Sequence, residues 1–371
     1  MLDSRLKTLA KSLVNYSTKV KQGDVCLIQG YDTPPEFIAA IVDEVWAKGG
    51  KPFVKISSSK INAHLTPHYT EEYIKEMTEI NEHLWNKIQV YISVDGSDNA
   101  YNGSNVPTQT KQLMARISNK RFHEITDANN VRWVILEYPN PTLAQNARMT
   151  TEQFEDFYLQ VCNTDYEKMN KAMQPLKELM EKTDKVHIKS PTTDLTFSIK
   201  GQTAVPCAGE CNIPDGEVFT SPIKESVNGT VEFNVPCSAG GKVLEKIKFE
   251  VKDGKIINSN STEKETLDGL LNTDDGARYF GEFALGVNPY VKQPMLDTLW
   301  DEKISGSFHM AFGTCLPDSP NGNESAVHYD LIQIQTPEYG GGEIWFDDVL
   351  IRKDGMFVLP ELEGLNPENL K

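Results

Sequence analysis

Several residue patterns that define whole classes of protein are scarce or missing here. The 371 residues include six cysteines, at 26, 162, 207, 211, 237 and 315, and they are dispersed. Small secreted domains use dense cysteines as a disulfide framework, so that class is excluded and reduced thiols in a cytoplasm are expected. Cys207 and Cys211, with Cys237 downstream, look like half a zinc site, but closed zinc sites want four ligands and the spacing is not that of a zinc ribbon. No apolar run approaches the ~18 residues of a membrane span; the segment around Ile38 to Val45 is broken by Asp43 and Glu44. The N-terminal stretch is amphipathic and lacks the continuous apolar block of a secretory signal, so export is not expected. Basic residues are also in deficit: 37 Lys+Arg against 53 Asp+Glu leave a net charge of −16. A chain so charged is repelled by phosphate backbones and anionic lipid, and neither nucleic acid nor a membrane is expected as a partner.

What is present describes a globular chain, with 39% hydrophobic and 24% charged residues. Its length exceeds the ~250–300 residues at which one core usually stops growing, so two domains are expected. In the first third, Leu2, Leu6, Leu9, Leu13 and Val14 recur at helical spacing. Next come an apolar strand from Val25 to Gly30, a helix from Pro35 to Lys48 ended by Gly49-Gly50, and a strand from Lys51 to Ile56. This is a β-α-β unit. Further strands at 88–94 and 131–137, separated by helical patterns, predict a mostly parallel sheet with helices on its faces. Beyond Lys185 the texture changes to short alternating runs at 186–188, 195–199, 231–235, 247–251 and 255–257, several joined by turns such as Asp253-Gly254. The fold class expected is therefore α/β: an open, mostly parallel α/β domain over residues 1–185, and a β-rich α+β domain carrying a metal site over 186–371.

Two glycine-rich places do not read as phosphate loops. Gly30 follows a strand and precedes a helix, but the G-x-G-x-x-G spacing is absent. Gly340-Gly341-Gly342 has no Lys-Ser/Thr after it and reads as a tight turn before the strand Glu343 to Phe346.

The chemistry concentrates in the second half. Of seven histidines, His309 and His328 alone lie in apolar or Gly-rich context, in segments that read as short buried strands. His328 and Asp330 are two apart, so on a strand both project from one face with Cα atoms roughly 6.6 Å apart, placed to share a metal ion or a hydrogen bond. Glu282 is flanked by apolar residues and glycine, and Glu217 leads into Val218-Phe219. A buried, isolated carboxylate costs several kcal/mol, so each needs a cation, either a metal ion or a distant Arg or Lys. Arg278 is the basic residue near Glu282, whereas Glu217 has none close in sequence. Two Glu, two His and one Asp, with no thiolate, suit zinc, cobalt, manganese or iron in a site open to water. Amide hydrolysis is the simplest reaction for such a site, and its acidity favours a substrate with a free amino terminus.

The order Asn212-x-Pro214-x-x-Glu217-Val218-Phe219-Thr220-x-Pro222, Gly281-Glu282-x-Ala284-Leu285-Gly286, His309-x-Ala311-x-Gly313 and His328-x-Asp330 resembles the thermophilic-type metallo-aminopeptidases of peptidase family M29. The resemblance implies a cytoplasmic, homodimeric aminopeptidase that releases N-terminal residues from peptides by metal-activated water. It implies one or two divalent ions per chain (Zn, Co, Mg or Mn), with Glu217, Glu282, His309, His328 and Asp330 as ligands. Glu217 or Glu282 would double as general base. Glu210 lies outside the matching register and ranks below Glu217. The family's Glu five residues before the first ligand His is Ile304 here, with Glu302 nearby but out of register, and its Tyr seven residues after that His is Leu316. These departures feed the reading of a catalytically inactive relative. A second alternative is a mononuclear iron ring-cleaving enzyme similar to the 2,5-dihydroxypyridine dioxygenases, bound partly through His328-x-Asp330.

Overall fold

A computed structural model describes residues 2–99 and 101–371. The chain divides into two compact units: one runs to Asn163 and adds Gly209–Ile213, the other comprises Thr164–Ala208 and Pro214–Lys371. Among the described residues, no helix is long and apolar enough to cross a membrane.

The first unit is built on β1 (Val25–Tyr31), β2 (Lys51–Ser57), β3 (Val90–Asp95) and β4 (Arg132–Glu137). They lie in the order β2-β1-β3-β4, every pair parallel, and the two-residue strand Asn212–Ile213 extends the sheet beyond β4. The strands are rich in β-branched residues, and Ile28, Val90, Ile92, Val94 and Val134 are fully buried. The helix Pro35–Ala47 starts on proline, whose fixed φ suits a first turn, and it buries Phe37, Ile38, Ile41 and Val45 on one stripe. Each such side chain contributes roughly 1.5–3 kcal/mol on leaving water. The chain turns away at Gly49 with φ 73°, a conformation glycine adopts without a Cβ clash.

The second unit begins with the helix Tyr166–Lys182, which packs on the strands Val205–Cys207 and Glu217–Thr220. Sequence texture groups this helix with the α/β half; its buried stripe of Met169, Met173, Leu176 and Met180 instead clusters with the β-rich unit. An eight-stranded antiparallel sheet follows, in the order Lys255–Asn260, Ile247–Lys252, Asn228–Phe233, Thr193–Ser198, Lys185–Ser190, Glu343–Phe346, Val349–Lys353 and Met356–Phe357. Its first hairpin turns on Asp253 (φ 48°) and Gly254 (φ 79°), both in the left-handed region that tight two-residue turns require.

A second antiparallel sheet carries the chemistry. It contains β5 (Val205–Cys207), β6 (Glu217–Thr220), β7 (Phe280–Gly286), β8 (Ser307–Gly313) and β9 (His328–Ile334), in the order β9-β8-β7-β6-β5. Alternation sends Phe283, Phe308 and Phe312 to one face, where they meet Phe197, Phe233 and Phe249 of the large sheet at ring-centroid distances of 5.0, 6.4 and 6.1 Å. The aromatic layer fixes which face of β7, β8 and β9 is core, and so which face is left for polar groups.

Gly313 ends β8 with φ 104°, and a Cβ there would lie 2.0 Å from the Val327 carbonyl oxygen. Gly313→Ala is expected to destabilise the second unit by about 2–3 kcal/mol. Chemical unfolding checks this; an unchanged midpoint would mean that the backbone relaxes at no cost.

Candidate metal centre

Strand register brings the five candidate side chains to one face. Across β7, β8 and β9, Glu282 pairs with Ala311 and Ala311 with Asp330, while Ala284 pairs with His309 and Gly313 with His328. Glu217 pairs with Gly286 across β6 and β7. Directly paired residues share a face, and so do residues two apart; Glu217, Glu282, His309, His328 and Asp330 therefore all project opposite the aromatic layer. Each stands across from alanine or glycine on one side; on the other, Glu217 meets Cys207 and His309 meets Ile332. The register shift between Phe280 and Glu282 lets the strand bury Phe280 and still present Glu282.

The side chains converge closely. His309 Nε2 lies 3.4 Å from Glu217 Oε2 and 3.5 Å from Glu282 Oε1. His328 Nε2 lies 3.1 Å from Glu282 Oε2 and 3.4 Å from Asp330 Oδ1. Two triads result, Glu217–Glu282–His309 and Glu282–His328–Asp330, each with donor atoms within 4.8 Å of one another. Glu282 belongs to both. His328 Nδ1 meets the Thr314 carbonyl oxygen at 2.8 Å; donating there fixes the ring and turns Nε2 into the site.

Hydrogen bonds do not satisfy this cluster. Glu217 Oε2, both ring nitrogens of His309 and Asp330 Oδ1 are buried without a hydrogen-bond partner. Buried polar atoms are normally paired; Glu217 Oε2, His309 Nε2 and Asp330 Oδ1, nitrogen and oxygen atoms of the two triads left without partners, fit divalent cations. Protein charges alone hold the site by protonation. Burial opposes an imidazolium at His309, yet Glu217 and Glu282 raise it to about 9; at His328 the same contest, with Asp330 and Glu282 beside the ring, ends at about 11. Burial works against Asp330 as well, but His328 brings it down to about 2. Glu282 is likewise held below the usual carboxylate range by its two imidazoles, against burial. Burial lifts Glu217 above that range despite Lys303 and His309.

Lys303 is the partner that local sequence does not reveal. Its ammonium lies 2.7 Å from Glu217 Oε1 and 2.9 Å from Glu302 Oε2, so Glu217 has a cation on one oxygen while the other is an orphan. Arg278, near Glu282 in sequence, bonds Asn272 and the Ile256 carbonyl, and the cations beside Glu282 are imidazoles. Glu302 joins the cluster despite being out of register: it lies 2.9 Å from the Lys303 ammonium, and burial, with Asp330 and Glu217 nearby, pushes its carboxyl well up. Its only sequence signal was its place just before the His309 strand. Glu210 lies in the first unit with its Oε1 3.5 Å from the Tyr16 hydroxyl. All six cysteines are free; Cys207 groups with Asp215 and Glu217.

A sheet face with imidazole and carboxylate donors and no thiolate in either triad has a donor set that suits a metal ion of the catalytic type. The chain belongs to the thermophilic metalloprotease (M29) family, whose model matches residues 2–347. It is 34% identical over 171 residues to aminopeptidase T of Thermus thermophilus, a match spanning 39% of this chain and 41% of that protein. In structure it is similar to wild-type AmpT from Thermus thermophilus, with TM-score 0.80 and 21% identity over 96% of this chain and 99% of the other. A 2,5-dihydroxypyridine dioxygenase from Pseudomonas putida KT2440 has TM-score 0.63 at 14% identity, covering 98% and 99%. Both structural likenesses are to the fold.

Proposed function

We propose that the chain is a metal-dependent aminopeptidase that releases N-terminal residues from peptides. It holds two divalent ions (zinc, cobalt, magnesium or manganese), one on Glu217, Glu282 and His309, the other on Glu282, His328 and Asp330. The observation that carries this reading is the pair of triads sharing Glu282, with buried donor atoms that no hydrogen bond satisfies. When bound, such ions polarise a carbonyl and lower the pKa of water toward ~7. The chain's own residues do the rest. The general-base role falls to one of the two glutamates, Glu217 or Glu282. Glu302, whose carboxyl burial pushes well up beside Asp330, adds a further acid to the site. The surrounding carboxylates attract a substrate's free ammonium. Action in the cytoplasm as a homodimer completes the proposal, supported by family membership.

Hydrolysis of an aminoacyl-anilide by protein supplied with Co2+ or Zn2+ tests it, with the N-acetylated anilide as control. Turnover of the free amine and not of the acetylated form is expected; metal-loaded protein inert toward a panel of aminoacyl-anilides would overturn the reading. The ring-cleaving alternative has the fold in its favour, but one iron with two histidines and a carboxylate leaves Glu217 and one further acid without a task. Metal analysis finding iron alone would favour that alternative.

A further inference from the structure

Lys303 is 1% exposed, and its ammonium is surrounded by acid: besides Glu217 and Glu302, Asp215 Oδ1 lies 3.7 Å away. Cys207 Sγ, Asp215 and Glu217 also form a cluster with donor atoms within 4.8 Å of one another, which resembles a third metal site. The lysine already provides its cation. The backbone of Lys303 is pinned as well, its N–H donating to the Trp300 carbonyl at 3.1 Å and its carbonyl accepting from Asn288 N–H at 3.0 Å, with Trp300 itself buried. The ammonium is buried among three carboxylates, with Glu217 Oε1 the nearest at 2.7 Å.

Buried ion pairs are weak devices for stability, because desolvation offsets most of the attraction. Their better-attested use is to specify one geometry. A carboxylate rotates broadly about its last torsion; with both oxygens free, Glu217 could chelate one ion through two atoms or swing between positions. Here Oε1 is taken by Lys303, and Oε2, lacking a hydrogen-bond partner, stays 3.4 Å from His309 Nε2. We propose that Lys303 is a positioning residue, whose ammonium claims Glu217 Oε1 and so makes Glu217 a single-oxygen donor to the ion shared with Glu282 and His309. This rests on the two-ion reading above.

The proposal has a sign that a charge effect does not share. A fixed ammonium repels a dication, so if Lys303 acted by charge alone, removing it would tighten metal binding. If it positions Glu217, removing it weakens one ion and spares the other. Loss of a group that orients a ligand typically costs about 10–100-fold in metal affinity. Stepwise Zn2+ dissociation constants of the metal-free protein, read by competition with a chromophoric chelator, decide between them. In Lys303→Met one of the two constants is expected to rise about 10–100-fold while the other stays within about threefold, and kcat should fall with little change in KM. Lys303→Arg, which keeps the donor and the charge, should recover part of the loss. Two constants unchanged, or both tighter, would overturn the proposal. Should circular dichroism find Lys303→Met unfolded, Asp215→Asn loosens the same cage with the ammonium retained; a selective weakening of about 3–10-fold is then expected, and no change would overturn it. Wild-type protein that binds fewer than two ions would instead overturn the two-ion reading, whatever the variants do.

Discussion

His309→Ala and Asp330→Ala are each expected to abolish metal-dependent turnover, by about three orders of magnitude or more, since several kcal/mol of transition-state stabilisation go with the ion. Each residue supplies a buried donor atom with no hydrogen-bond partner, so neither has another evident task. His309 also sits between Glu217 and Glu282, and its loss brings two buried carboxylates together with no imidazole to separate their charge. Some loss of stability in the second unit follows from this. The first unit contains neither residue and should keep its helical circular-dichroism signal. Steady-state kinetics of variants verified as folded, at saturating metal, make the comparison; turnover equal to wild type would remove the residue from the site.

Metal binding is expected to release about two protons per chain near pH 7.5, because metal ligands must be deprotonated. In the metal-free protein both imidazoles hold protons, His309 up to about 9 and His328 up to about 11. Calorimetry in buffers of differing ionisation enthalpy counts the protons directly, and with one imidazole on each ion the apparent affinity for each ion should rise about tenfold per pH unit between roughly pH 7 and 8.5. The same titrations govern the stability of the metal-free protein. Both imidazoles have folded pKa values above their ordinary 6.5, so their contribution is complete below about pH 6.5 and is lost as pH rises through about 9 for His309 and about 11 for His328. Asp330, brought down to about 2, contributes above its ordinary range and loses that contribution as acid approaches pH 2. Metal-free protein should therefore weaken in mild alkali. Binding without proton release would contradict the charge states drawn here.

How far the sequence discloses this site follows from the range of the signals. Strand periodicity is local, so the shared face of His328 and Asp330 and the buried strands around Glu282 and His309 are legible from neighbours alone. The Asp253-Gly254 turn is legible for the same reason, since two residues set its backbone. Lys303 is not. It meets Glu217 across a large gap in sequence, and no local pattern distinguishes it from a solvated lysine. Arg278 shows the same limit: it is near Glu282 in sequence, but its guanidinium turns to Asn272 and Ile256. The helix Tyr166–Lys182 shows its buried stripe by spacing, but spacing cannot say which sheet the stripe meets. The strand Asn212–Ile213 is too short to have a period at all.

That two-residue strand has a consequence for how the molecule can be made or broken. The α/β sheet is finished only by residues translated well after its other four strands, so during synthesis the sheet waits with an unfilled edge beside β4 until Ile213 has left the ribosome. No single cleavage yields both units whole: a fragment stopping at Asn163 lacks its last strand, and one starting at Thr164 carries that strand as an orphaned loop. Glu217 is the fourth residue after that strand, so a deletion there would disturb the α/β sheet and the acid cluster at once.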